Sequence, residues 1–245
     1  MFAKVIGILA IAALSSAAKT FRVVPVTIYY ESLCPDSQAF IANQVYPVFK
    51  TELKDFIELT WVPFGKTTFE TRGSDVMFQC HHGENECYGN KVHACALQHI
   101  QANSYQNEFT KTSLTVDFIT CLMRAGKNFP DNVYPGKRCA VESHINNWEN
   151  IAQCANSTDG SQLLKSQGEK TFEFMNPLTS VPTVVFKMAF NAEDQSRAMN
   201  DFQGVLCKYI SEPKPRTCTI NGAGSHFTIF TPILILAAFF LARFF

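Results

Sequence analysis

The feature that most restricts the fold of this chain is a single cysteine between a predicted strand and a predicted helix. Cys34 opens the sequence Cys34-Pro35-Asp36-Ser37, directly after an apolar, β-branched run at 23–30 that is typical of a buried strand. Apolar residues then recur at helical spacing over 38–49. Unpaired backbone N–H groups and the helix dipole at such a position favour a thiolate. The stretch therefore looks like a dithiol redox motif in which Ser37 stands in place of the second cysteine.

The cysteine count agrees with a special role for Cys34. The chain has nine cysteines, so at least one has no partner within the chain. When Cys34 is set aside, eight remain, enough for four disulfides: Cys80, Cys87, Cys95, Cys121, Cys139, Cys154, Cys207 and Cys218. The sequence does not choose among the possible pairings. Cys207 with Cys218 is the most plausible single pair, because the two are close in sequence at the end of the domain.

The first 18 residues predict a secretory signal peptide. Lys4 supplies positive charge, 5–14 form a short apolar core, and Ser16-Ala17-Ala18 has the small residues of a cleavage site. A secreted chain matures in an oxidising compartment, where cysteines form disulfides. Secretion also makes Asn156-Ser157-Thr158 a candidate glycosylation site at Asn156.

The last part of the chain, 222–245, predicts membrane attachment. Small residues at 221–223 precede a mixed spacer at 224–232 and an apolar tail at 233–245, which are the parts of a GPI-attachment signal. A transmembrane helix over 227–245 is the alternative, since that segment is just long enough to span a bilayer. The polar residues Thr228 and Thr231 weaken this alternative.

The region between the two ends, 19–221, predicts one α/β (α+β) domain with an insertion. Strands at 23–30 and 56–64 flank the first helix and form a βαβ unit with parallel strands. The insertion, about 65–170, is cysteine-rich and mostly helical by period, with helices predicted at 86–101, 114–125, 141–155 and 160–168. A strand at 180–186, entered through Pro182, and a helix at 194–210 close the domain. This order is that of a thioredoxin-like fold interrupted in its middle, the expected context for a C-x-x-C-like motif.

The insertion contains a cysteine- and histidine-rich stretch at 80–95. Its sequence is Cys80-His81-His82-Gly83-Glu84-Asn85-Glu86-Cys87-Tyr88-Gly89-Asn90-Lys91-Val92-His93-Ala94-Cys95. It closely resembles the signature of the gamma-interferon-inducible lysosomal thiol reductase family, C-Q-H-G-x-x-E-C-x-x-N-x-x-x-x-C. Only the second position differs, where His81 replaces glutamine.

The resemblance spans most of the mature chain, from about 26 to 218, and carries functional expectations. It implies a thioredoxin-like fold and thiol reductase activity on protein disulfides in the endosomal–lysosomal pathway, with links to antigen handling and host defence. The family's catalytic pair maps onto Cys34 and Ser37. Val181-Pro182 is expected to lie beside Cys34 with a cis peptide bond and to bind an extended substrate through neighbouring backbone.

Ser37 limits the chemistry that can be expected. A thiolate attacks a disulfide to give a mixed disulfide, and a second thiol must resolve it, which an alcohol cannot do. We therefore expect monothiol activity through Cys34, with disulfide-containing proteins and an external thiol reductant as partners. A module that binds or traps client thiols without turnover, and a cell-surface recognition protein, are the alternatives.

The sequence predicts no cofactor, no metal site and no nucleic-acid partner. Cysteines 80, 87 and 95 with His81, His82 and His93 could be drawn as a zinc site, but they form no C-x-x-C pairs, and secreted chains oxidise such cysteines. The three histidines are expected at the surface or next to the site. Basic and acidic residues balance at 21 each, and no Lys/Arg cluster is present for a nucleic acid.

Overall fold

A three-stranded mixed sheet forms the centre of the computed structural model, which describes residues 23–102, 109–126 and 133–220. The middle strand, β1 (Val24–Tyr30), pairs in parallel with β2 (Ile57–Pro63) on one side, with Val26 opposite Leu59. On its other side it pairs antiparallel with β5 (Thr183–Phe186). β1 is buried along most of its length because strands flank it on both sides and helices cover the sheet.

The crossover between the parallel strands starts at the Cys34 motif. Helix α1 (Pro35–Phe40) continues through a π-turn (Ile41–Val45) into α2 (Tyr46–Val48), and a 3-10 turn (Glu52–Phe56) leads into β2. The helix begins before the predicted 38–49 because Pro35 occupies its first turn, where a missing N–H costs nothing. The predicted βαβ unit is therefore present.

The closing elements pack on the same sheet. Helix α8 (Ala192–Tyr209) and the short α9 (Arg216–Ile220) follow β5. Phe186 of β5 and Phe202 of α8 lie in one apolar core with Ile28 and Trp61 of the sheet and Phe40 of α1. This order of strands and helices is a thioredoxin-like fold with a helical insertion, and the predicted fold class is confirmed.

The insertion starts with a β-hairpin, an element that the sequence pattern did not predict. Strands β3 (Thr68–Arg72) and β4 (Asp75–Gln79) pair antiparallel across a turn in which Gly73 has a φ of +64°. The hairpin holds few apolar residues because it lies against the helices with one face only, where Phe69 stacks on Phe172 and also contacts Phe78. With so few apolar positions, the period-two pattern was too weak to stand out.

The rest of the insertion is helical and has its own apolar core. Its helices are α3 (Glu84–His99), α4 (Lys111–Ala125), α5 (Gly136–Glu142), α6 (Trp148–Ala155) and α7 (Thr158–Phe174). The prediction of one helix at 141–155 is wrong, because two helices, α5 and α6, are separated there by a loop in which His144 has a φ of +57°. The helix predicted at 160–168 is longer in the structure, where α7 continues to Phe174. Its last turn packs through Phe172 against Phe64.

Eight of the nine cysteines form four disulfides. Cys80–Cys87 and Cys95–Cys154 tie α3 to the hairpin and to α6, Cys121–Cys139 joins α4 to α5, and Cys207–Cys218 joins α8 to α9. All nine cysteines lie in the described part of the chain, and Cys34 is the free one. The insertion is thus cross-linked to itself, and Cys34 is left as a thiol.

The predicted signal peptide, 1–18, and the predicted attachment signal, 222–245, lie outside the described residues. Within 23–102, 109–126 and 133–220, no helix has the length and apolar character needed to cross a membrane. Asn156 lies within the described part, exposed at the end of α6, where its side-chain amide donates to the Ala152 carbonyl.

Candidate functional site

Cys34 occupies the N-cap position of α1, directly beyond the carboxyl end of β1. Its backbone is extended (φ −70°, ψ 121°), and its carbonyl accepts the first bond of the helix from the Gln38 N–H at 2.9 Å. Only 6% of the residue is exposed to solvent. The sulfur therefore lies at the unpaired N–H end of a helix, as the strand–helix pattern predicts.

The Val181–Pro182 segment faces this sulfur from the other side. Its peptide bond is cis, and the Val181 carbonyl oxygen lies 3.9 Å from Cys34 Sγ, within reach of the thiol as a donor. The Pro182 carbonyl accepts from the Gln195 side-chain amide at 2.9 Å, and the amide oxygen of Gln195 accepts from the Val184 N–H at 2.6 Å. Gln195 thus occupies the hydrogen-bonding groups of Pro182 and Val184 at the open edge of β5. The Val181 backbone is the part of this segment that lies next to Cys34.

Ser37 is fully buried one turn into α1. Its hydroxyl accepts from the Glu31 backbone N–H at 3.5 Å, a long and weak bond. Ser37 therefore places a buried hydroxyl, not a thiol, three positions after Cys34.

The loop between β1 and Cys34 is held by two side chains of α3. Asn90 Oδ1 accepts from the Ser32 N–H at 2.9 Å, and Glu86 Oε2 accepts from the Leu33 N–H at 3.3 Å. The Ser32 hydroxyl donates back to the Glu86 carbonyl at 3.3 Å. Since Ser32, Glu86 and Asn90 are all buried, these bonds are shielded from water and fix the approach to the cysteine.

A glycine allows α3 to come this close. A Cβ at Gly89 would lie 2.4 Å from Ser32 Oγ, a distance that real Cβ atoms do not show. Gly89 is therefore required where α3 passes the loop before Cys34.

A buried acid and two histidines lie next to the cysteine. Glu31 is fully buried, and its Oε1 accepts from the Lys66 N–H at 2.6 Å. Its other oxygen, Oε2, has no hydrogen-bond partner and lies 3.4 Å from His81 Nδ1 and 3.3 Å from His82 Nδ1. His82 Nδ1 is also 2.7 Å from Glu86 Oε2. Two buried carboxylates thus meet at one imidazole nitrogen.

Burial raises the pKa of Glu31 from its ordinary value. The Lys66 N–H opposes this rise, the neighbouring Glu86 charge adds to it, and His81 and His82 oppose it. Desolvation is the largest of these causes, because a carboxylate in a closed pocket loses its water shell. The ionised form of Glu31 is therefore destabilised by burial, and a nearby positive charge is needed to stabilise it.

His93 corrects the expectation that all three histidines lie at the surface or next to the site. It is fully buried under the sheet, where its Nδ1 lies 2.9 Å from the Tyr30 hydroxyl. Burial lowers the pKa of His93 to about 3. His81, by contrast, is half exposed, and His82 is mostly buried.

The structure brings together four of the predicted site residues: Cys34, Ser37, Val181 and Pro182. Sequence reasoning missed Glu31, Glu86 and Asn90 as contributors, although Glu86 and Asn90 are fixed positions of the quoted family signature. Their spacing of four residues on one helix face was the available signal.

Comparisons with known proteins decide the family. The model of the gamma interferon inducible lysosomal thiol reductase (GILT) family matches residues 25–143. GILT-like protein 1 of Drosophila melanogaster is 62% identical over 215 residues, which cover 88% of this chain and 84% of that protein. The chain belongs to the GILT family. A GILT-like protein of Anopheles gambiae is 52% identical over 221 residues, 90% of each chain.

Solved structures similar to this GILT family member have low sequence identity. The crystal structure of Chlamydia trachomatis DsbA has a TM-score of 0.46 at 15% identity and covers 75% of this chain and 92% of that one. The oxidised BdbD structure from Bacillus subtilis has a TM-score of 0.47 at 13% identity, over 72% and 87% of the two chains.

Proposed function

We propose that this GILT family member is a thiol–disulfide oxidoreductase that acts on protein disulfides through Cys34 alone. The observation that carries the proposal is that Cys34 is the one cysteine without a disulfide, at the N-terminus of α1, with a buried Ser37 in place of a resolving thiol. Membership of a family named for thiol reductase activity supports disulfide chemistry at this position.

The proposed reaction has two exchange steps. The Cys34 thiolate attacks one sulfur of a client disulfide, which forms the Cys34–client bond and releases the other client sulfur as a thiolate. An external thiol, such as glutathione, then attacks the client sulfur of the mixed disulfide. This releases the Cys34 thiolate and leaves a disulfide between the client and the external thiol. A second external thiol completes reduction of the client. Electrons come from the external thiol, so the chain itself returns to its starting state.

The proposed client site runs along Val181 and a groove beside Cys34. The groove is lined by Asp36, Phe40, Gln44, Pro182 and Met199, among others. Its floor is mixed in polarity, which suits an extended peptide held through its backbone more than a single apolar ligand. Because Gln195 already pairs with the Pro182 carbonyl, the Val181 backbone is the proposed partner of the client strand.

The test is a turnover assay on an oxidised peptide with glutathione. We expect wild-type turnover to be slow and to depend on the glutathione concentration, and Cys34→Ser to abolish it. Ser37→Cys should raise turnover at low glutathione, because a thiol held within the same active site has a far higher effective concentration than one in solution. Ser196→Cys is the matched control, since it adds a thiol at an exposed position of α8.

Three outcomes would count against the proposal. Activity that survives Cys34→Ser would remove Cys34 from the mechanism. Equal rates for Ser37→Cys and Ser196→Cys at low glutathione would mean that the missing thiol does not limit the reaction. One adduct per chain without further turnover at saturating glutathione would favour the trapping module instead.

We further propose that the chain works in the secretory and endolysosomal pathway or at the cell surface, with a role in host defence. The signal-like N-terminus, the apolar tail and the lysosomal names of relatives in Carassius auratus and Mus musculus support this location. Release from cells by a phosphatidylinositol-specific phospholipase would support the GPI anchor. A mature peptide from 233–245 would contradict it.

A further inference from the structure

A mixed cluster of ligating side chains lies directly beside the active thiol. Glu31, Cys34 and His82 each offer one ligand atom, and these three atoms lie within 4.8 Å of one another. They come from the end of β1, the start of α1 and the loop before α3. We propose that these three residues form a zinc-binding site that captures the Cys34 thiolate. This goes beyond the proposed exchange reaction and does not depend on it.

The distances fit a tetrahedral ion. Zinc binds nitrogen and oxygen at about 2.0–2.2 Å, so two such ligands lie about 3.3 Å apart around a tetrahedral centre. Glu31 Oε2 and His82 Nδ1 are 3.3 Å apart. A sulfur ligand at about 2.3 Å lies about 3.6 Å from its neighbours. One ligand atom from each of the three residues lies within 4.8 Å of the other two, so closing a separation of that size to about 3.6 Å needs a shift of up to about 1 Å. To bind the ion through Nδ1, His82 must also give up its 2.7 Å contact with Glu86 Oε2.

An independent observation points to a ligand at this place. Glu31 Oε2 is fully buried and has no hydrogen-bond partner, which is costly for a carboxylate oxygen. Its neighbours are the two imidazole nitrogens of His81 and His82, one of which it shares with the buried Glu86. A divalent cation at Glu31 Oε2 would satisfy this oxygen and offset two of the three negative charges carried by the two buried carboxylates and a thiolate.

The donor set selects the metal. Thiolate and imidazole ligands suit zinc, whereas magnesium and calcium take oxygen ligands almost entirely. The site differs from the zinc site considered on the sequence, because Cys80, Cys87 and Cys95 are in disulfides and cannot act as thiolate ligands. Three protein ligands leave one position open, and His81 borders it with Nδ1 at 3.4 Å from Glu31 Oε2.

Two substitutions relative to the family pattern favour metal binding over dithiol chemistry. With Ser37 at that position, Cys34 has no neighbouring thiol with which it could be oxidised to a disulfide, so the sulfur stays available as a ligand. His81 stands where the family signature has glutamine, and it adds an imidazole beside Glu31. Bound zinc would be coordinated by the thiolate lone pair that attacks a disulfide, so the metal would reversibly block the reaction of Cys34.

The experiment measures zinc binding to the secreted, disulfide-intact chain without a polyhistidine tag, by isothermal titration. We expect one ion per chain with a dissociation constant below about 1 µM. Cys34→Ser and His82→Gln should each weaken binding at least about 10-fold. His99→Gln is the matched control, because His99 lies at the far end of α3 and should leave the affinity unchanged.

Two further readouts need no variant that alters folding. Cobalt in place of zinc should give a near-ultraviolet thiolate-to-metal absorption band, and zinc should slow alkylation of Cys34 until a chelator is added. Magnesium should do neither. Absence of a one-to-one zinc complex would overturn the proposed site. So would equal zinc affinities of Cys34→Ser, His82→Gln and the control His99→Gln. Since no disulfide substrate is used, these results are independent of the turnover assay.

Discussion

Replacement of Asn90 by alanine tests whether α3 holds the loop before Cys34. Asn90 Oδ1 is the partner of the buried Ser32 N–H at 2.9 Å. Without it, that N–H is left buried and unsatisfied, which costs about 1–3 kcal/mol. Alanine recovers up to about 0.7 kcal/mol through its higher helix propensity in α3. With the full propensity gain, the expected net loss in free energy of unfolding is therefore about 0.3–2.3 kcal/mol.

The assay is equilibrium urea unfolding in a Cys34→Ser background, so that no free thiol reshuffles the four disulfides. With a urea slope of about 2 kcal/mol per molar, the midpoint should fall by about 0.1–1.2 M. Amide exchange at Ser32 should accelerate in the same variant. Asn200→Ala is the control, since Asn200 is exposed on α8 and only the propensity gain applies. If Asn90→Ala is as stable as Asn200→Ala, the proposed role of Asn90 is wrong.

Two further predictions concern acid stability and the disulfides. His93 has a folded pKa of about 3 against an ordinary value of 6.5, so the unfolded state binds the extra proton between these values. Stability should therefore fall as the pH drops through this window, by up to about 1.4 kcal/mol per pH unit. His93→Gln should weaken the dependence of the urea midpoint on pH between pH 7 and pH 4. A variant whose midpoint depends on pH as strongly as that of the wild type would contradict this. Removal of Cys95–Cys154, which closes a loop of 59 residues, should cost about 4 kcal/mol. Removal of Cys80–Cys87, with a separation of 7, should cost about 2 kcal/mol, and the reverse order in thermal unfolding would contradict the loop-entropy argument.

The parts of the fold that the sequence predicts are those with strong local patterns. The βαβ unit around Cys34 follows from two apolar runs and one helical repeat, and the position of the sulfur follows from it. The hairpin at 68–79 was missed because it carries few apolar residues, Phe69 and Phe78 among them, and its alternating pattern is therefore weak. The break between α5 and α6 was missed because apolar residues continue at helical spacing on both sides of His144.

The surroundings of Cys34 depend on contacts between distant parts of the chain. Glu31 and His82 are 51 positions apart in the sequence. They meet because α3 docks on the loop after β1, which needs the small Gly89 at the crossing. Such a meeting has no local periodicity that a sequence pattern can report. The family signature marks Glu86 and Asn90 as fixed, but their bonds to the Leu33 and Ser32 backbone appear only in the fold.

The most direct test of the monothiol mechanism is the mass of the product formed with an oxidised peptide in the absence of external thiol. We expect one peptide per chain, attached at Cys34 on peptide mapping, which persists until glutathione is added. In Ser37→Cys the same adduct should clear without glutathione, as the new thiol displaces the peptide and closes a disulfide with Cys34. An adduct mapped to any of the eight disulfide-bonded cysteines, or one that clears from the wild type unaided, would contradict the account.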